Sequence, residues 1–159
     1  EAPDELVRRA VEDYGRAYRS SWRVVPGAEE LLSRLGERAK VAVVTNNLLR
    51  EQQDKLAVLG LESYVDALVA SEEVGVAKPE PGIFRVALDR VGCAPDEAVM
   101  VGDSWTSDVL GALAAGIPAV WLNARGADCP DSSLAREIRS LQPVEELLES
   151  LWGGKKAEV

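Results

Sequence analysis

Val41-Ala42-Val43-Val44-Thr45-Asn46-Asn47 is the stretch on which the fold turns. Four consecutive apolar residues, three of them β-branched, suit a strand buried on both faces, and such strands belong to parallel sheets covered by helices on either side. A threonine and two asparagines stand at its carboxyl end. From Leu48 to Leu59 the apolar spacing becomes helical and stops at Gly60, a natural residue just past a helix. One strand-then-helix unit is thereby in place.

The unit recurs downstream. Residues 65–70 read as a strand, 81–91 as a helix ending at Gly92, 98–101 as a strand, 106–115 as a helix closed by Gly116, 119–122 as a strand, and 144 to about 151 as a last helix. Upstream, Leu6, Val7, Ala10, Val11, Tyr14, Ala17 and Tyr18 form one apolar stripe at helical spacing over residues 4–20. After Pro26-Gly27, a short helix over 28–35 turns Leu31, Leu32 and Leu35 inward. Alternating strands and helices predict an α/β fold: a Rossmann-like, doubly wound parallel sheet with flanking helices.

A chain of 159 residues suits one domain with one core. With 47% hydrophobic and 28% charged residues, it has the composition of a folded protein rather than a disordered one. Its longest apolar runs fall far short of the ~20 residues of a membrane span. The acidic opening Glu1-Ala2-Pro3-Asp4-Glu5 has no signal-peptide character, so no membrane association and a cytoplasmic location are expected. Cys93 and Cys129 lie in no metal-type spacing and read as reduced thiols. A net charge of −9 argues against nucleic acid as a partner. Histidine is absent altogether, which removes His triads, His metal sites and His general bases together. Carboxylates must therefore carry any chemistry.

In open α/β sheets, ligands bind beyond the carboxyl ends of the strands. The positions there include Thr45-Asn46-Asn47, Ser71-Glu72-Glu73 and Gly102-Asp103, with Lys78 in the loop after the second strand. The turn Gly102-Asp103-Ser104-Trp105-Thr106-Ser107-Asp108 delivers two carboxylates around one strand-to-helix junction. It has the look of a divalent-cation site, because Mg²⁺ takes oxygen ligands and often only one or two protein carboxylates. Either aspartate by itself would serve equally as a helix N-cap. Thr45 by itself would cap the next helix, or else aim its hydroxyl at a phosphoryl oxygen beside the Asn46 backbone N–H. Lys78 by itself is a surface lysine; beside a transferring phosphoryl group it would neutralise charge. Their order along the chain is the stronger signal.

That order resembles the haloacid dehalogenase superfamily, in the branch whose helical cap is inserted before the second motif. Val41-Ala42-Val43-Val44-Thr45-Asn46 is similar to the second motif of that family, Val76-Ala77-Lys78-Pro79-Glu80-Pro81 to the third, and the run from Val99 to Asp108 to the fourth. The resemblance implies that Thr45, Asn46 and Asn47 bind the phosphoryl group of a small phosphorylated metabolite. It also implies that Lys78 positions that group and that Asp103 with Asp108 holds Mg²⁺. The acidic pair favours phosphate chemistry over carbon–halogen cleavage, and the segments 71–84 and 121–123 look most like members that hydrolyse nucleoside monophosphates. Residues 1–21 would then be a remnant of the cap, 22–152 the core, and 153–159 a flexible tail.

The family's reaction begins with an aspartate at the end of a first, central strand, in an Asp-x-Asp pattern. No two aspartates here stand two residues apart. The expectation is therefore that this segment is missing from the chain, that the chain alone is inactive, and that another copy, another chain, an N-terminal segment or a rearranged stretch fills the gap. Strands 41–45 and 98–102 standing apart with nothing between them would count against such filling. Two other classes compete with this reading: a non-catalytic scaffold derived from the same core, and a signalling receiver domain. The receiver places its acidic pair before the threonine, whereas here it comes last.

Overall fold

A computed structural model describes residues 4–152. The elements run α1 (Asp4–Ser20), α2 (Ala28–Leu35), β1 (Ala42–Thr45), α3 (Leu49–Val58), β2 (Ala67–Ala70), α4 (Ser71–Val74), α5 (Pro81–Val91), β3 (Met100–Gly102), α6 (Gly111–Ala114), β4 (Ala119–Leu122), β5 (Arg136–Ile138) and α7 (Val144–Trp152). The α/β alternation expected from the sequence is present, and every strand pairing is parallel. The residues expected to form a tail, 153–159, lie outside the described ones.

The strands fall into two sheets, β1-β2 and β3-β4-β5. Both pack on one core built from α5, where Pro81 opens the helix and Gly92, at φ 73, ends it. Ile83, Phe84, Ala87 and Leu88 form the inward face of α5 and cluster with Val69 of β2 and Trp121 of β4. Phe84 and Ile83 are essentially fully buried. Each such side chain contributes about 1.5–3 kcal/mol of burial, so α5 is the fixed post against which both sheets are set.

β1 and β3 each have a strand partner on one side alone among the described residues. Their burial reflects it. No residue of β1 or β3 is fully buried, whereas most of β2 and β4 is. In a doubly wound sheet the inner strands are normally the best covered. The expectation that a rearranged stretch of this chain fills the gap is overturned, since no described strand lies between β1 and β3. β1 and β3 are not paired with each other and no described strand lies between them, the arrangement that counts against such filling among the described residues.

Three further departures have local causes. β5 was not anticipated, because Arg136-Glu137-Ile138 carries no apolar run; it is defined by pairing with β4. The helix expected over 106–115 is a wide π-type turn over Trp105–Leu110 followed by α6. β3 begins at Met100 rather than residue 98, and Val99 remains 42% exposed. α1 has no buried residue, and its apolar Leu6, Val7, Val11 and Tyr14 face outward.

Candidate functional site at the carboxyl ends of β1 and β3

Lys78 is the hub. Its ammonium donates to the carbonyl of Val44 at 2.8 Å and to Asp108 Oδ1 at 2.7 Å. The two charged side chains are 12% and 6% exposed, so this is a largely desolvated ion pair. Asp108 Oδ2 accepts the backbone N–H of Ser104 at 2.9 Å. A carboxylate with both oxygens engaged in a dry setting has one orientation.

Two glycines make this approach possible. A Cβ on Gly102 would lie 2.5 Å from Asp108 Cβ and 2.6 Å from its Cγ. A Cβ on Gly111 would lie 2.9 Å from Pro79 Cα and 2.8 Å from a Phe84 ring carbon. The wide turn 105–110 thus presses against both the end of β3 and the loop that carries Lys78. Gly111→Val is expected to destabilise the fold by about 1–3 kcal/mol through overpacking and to loosen the Lys78–Asp108 contact. Urea unfolding checks the first effect; an unchanged midpoint would show that the Pro79 loop yields freely.

Asp103 is exposed at the end of β3. Its backbone is fixed, because its carbonyl accepts the Trp121 indole N–H at 3.0 Å, and Trp121 packs edge-on against Trp105 at 5.2 Å. Its carboxylate faces solvent one residue before Ser104, whose N–H holds Asp108. Thr45 is the last residue of β1, between Val44, which binds Lys78 through its carbonyl, and Asn46.

Asn46 and Asn47 are engaged differently from each other. The Asn46 side chain accepts from the Lys78 backbone N–H at 2.7 Å and donates to the Lys78 carbonyl at 2.8 Å. Asn47 accepts from the Leu48 N–H at 2.9 Å and donates to Glu51. Each of these side chains makes two hydrogen bonds within the protein, and the backbone N–H groups ahead of α3 are further donors that can meet an anion. Tyr18 of α1 reaches this corner, and burial together with the neighbouring Glu51 carboxylate raises its pKa.

The described residues contain no group of three or more acidic, cysteine or histidine side chains able to hold a metal. Mg²⁺ does not require one. Two carboxylates on one turn, one exposed and one anchored, match a cation that keeps several waters and takes phosphate oxygens as ligands. The donor set therefore fits the ion.

Of the six residues singled out in the sequence, Asn46, Lys78 and Asp108 are joined by hydrogen bonds, Thr45 and Asn47 flank Asn46, and Asp103 follows the end of β3. Sequence reasoning missed the reciprocal use of the Asn46 amide and the anchoring of Asp103 by Trp121. The spacing of the sequence carried no signal for either.

A parallel α/β core with an acidic pair, a lysine and a threonine at its strand ends is the arrangement of the haloacid dehalogenase type, and the chain belongs to the haloacid dehalogenase-like hydrolase family, whose profile matches residues 1–116. It is 42% identical over 127 residues to the pyrimidine 5′-nucleotidase YjjG of Escherichia coli, covering 78% of this chain and 56% of that protein. It is 38% identical over 136 residues to a phosphoserine phosphatase of Thermus thermophilus, covering 85% and 54%. The crystal structure of a HAD phosphatase from Thermococcus onnurineus superposes with a TM-score of 0.78 at 36% identity, over 87% of this chain and 64% of that one. The chain thus spans about half the length of these curated relatives. Membership in this family removes the receiver alternative.

Proposed function

We propose that these residues are the core of a Mg²⁺-dependent phosphomonoester hydrolase acting on a small phosphorylated metabolite, with nucleoside monophosphates as the first class to test. The observation that carries the reading is the desolvated Lys78–Asp108 pair, 2.7 Å apart at the strand ends beside Thr45 and Asp103. Lys78 keeps a third N–H beyond those given to Val44 and Asp108, and that donor neutralises the transferring phosphoryl group. The Thr45 hydroxyl and the Asn46 and Asn47 backbone amides bind the same group. Mg²⁺, held by Asp103 and Asp108, supplies further charge neutralisation at the phosphate.

The nucleophilic carboxylate enters from outside residues 4–152, on a strand inserted between β1 and β3. That strand is the partner this chain needs, from its own parent polypeptide or from a second copy. α1 belongs to the cap that selects the substrate, residues 22–152 form the core, and the setting is cytoplasmic. The named relatives act on chemically different phosphates, which is consistent with selection by a cap rather than by the core.

Hydrolysis of p-nitrophenyl phosphate by the intact parent protein tests the metal assignment. Asp103→Asn is expected to raise the Mg²⁺ concentration for half-maximal activity by at least ~10–100-fold, the range for disturbing even outer metal ligands. An unshifted Mg²⁺ dependence would remove Asp103 from the metal site.

A further inference from the structure

We infer that the side chain of Asn46 is a positioning group for Lys78. Lys78 lies in the irregular loop between α4 and α5, where its backbone has no strand or helix to bond with. Asn46 supplies what the loop lacks. Its Oδ1 accepts the Lys78 N–H at 2.7 Å and its Nδ2 donates to the Lys78 carbonyl at 2.8 Å.

An amide side chain carries the same donor and acceptor as a peptide group. Asn46 therefore pairs with Lys78 as one rung of a strand would, joining the end of β1 to a loop 32 residues further on. Aspartate can accept but not donate, and serine is too short to do both. The clasp is exposed, so water competes with it. Its effect is to order the loop rather than to hold the core together.

The consequence lies in the lysine stem. A free lysine side chain has about 2 kcal/mol of rotamer entropy to lose, and its ammonium reaches Val44 and Asp108 from a backbone already fixed by Asn46. With both ends of the residue tethered to the same strand end, Lys78 points into the site before any ligand arrives. The catalytic meaning of this rests on the function proposed above; the tether itself does not.

The test is amine labelling of this chain by reductive methylation, read by mass spectrometry, with the 68%-exposed Lys40 as internal standard. In Asn46→Leu, which keeps the branched shape and removes both bonds, Lys78 labelling relative to Lys40 is expected to rise about 3–10-fold, the size of one to two lost hydrogen bonds. The Lys78 backbone amide should exchange faster by a similar factor. In Asp108→Asn, labelling should also rise while the Lys78 amide stays slow. Labelling and amide exchange in Asn46→Leu equal to the wild type would overturn the inference.

If Asn46→Leu does not fold, the wild-type amide decides alone: exchange of Lys78 at the rate of a free loop residue overturns the clasp, and protection supports it. A titration with inorganic phosphate and Mg²⁺ separates the two proposals. Lys78 freed by Asn46→Leu with phosphate affinity unchanged leaves the clasp standing and removes Lys78 from the phosphate site.

Discussion

Asp108→Asn is expected to lower the unfolding free energy by about 3–5 kcal/mol, the cost of leaving one member of a buried ion pair without its partner. The substitution is nearly isosteric, so the effect isolates charge. The Lys78 ammonium, with its side chain 12% exposed, would retain the Val44 carbonyl as its acceptor and face a neutral amide. Lys78→Met should cost less, because Asp108 keeps the Ser104 N–H at 2.9 Å after the ammonium has gone. The double variant Lys78→Met/Asp108→Asn should be more stable than Asp108→Asn alone, since replacing both charges removes the desolvation penalty along with the attraction. Urea unfolding of the four proteins gives the cycle. Single variants within about 1 kcal/mol of wild type would mean the pair is hydrated in solution and behaves as a surface salt bridge.

The ordering within that cycle has a functional side. A pair that is costly to bury and gains little net stability over an apolar replacement is a poor way to hold a fold together. Its value lies in keeping a cation and an anion oriented in a site with little water, where charge on a substrate is felt strongly. Gly102 and Gly111 serve the same end, because both permit the contacts that press the turn 105–110 inward.

Much of this was legible in the sequence, and the reasons are physical. The run 41–44 is apolar without interruption and most of it lies in β1, and helix α5 announces itself through Pro81 at its start and Gly92 at its end. The site residues were legible because ligand positions in this architecture follow strand ends. β5 was not, since Arg136-Glu137-Ile138 is held by its pairing with β4 and by the Asn123 amide, which donates to Glu137 at 2.9 Å. Nor was the Asn46 clasp, because a contact across 32 residues leaves no trace in local spacing. The wide turn at 105–110 escaped as well, because the apolar spacing over residues 106–115 does not distinguish a π-type winding from an α-helix.

The largest expected effect concerns turnover. These 159 residues alone, supplied with Mg²⁺, should hydrolyse a phosphomonoester more slowly than the intact parent by a factor on the order of 10⁴–10⁶, the scale of losing a covalent nucleophile. No Asp-x-Asp occurs in the sequence, and β1 and β3 each present an unpaired edge among the described residues. An extended apolar segment entering there would run parallel to both, pair its backbone on two sides and cover strands in which no residue is now fully buried. Its carboxyl end would arrive beside Lys78, Thr45 and Asp103, where a carboxylate could reach a bound phosphorus. Two measurements bear on this. Turnover by this chain within about 100-fold of the parent would place the nucleophile among its own residues. Amide exchange at the positions of β1 and β3 whose N–H groups are not bonded to β2 or β4 should be fast in this chain and strongly protected in the parent; equal protection of those amides in both would mean that the two edges never receive a strand.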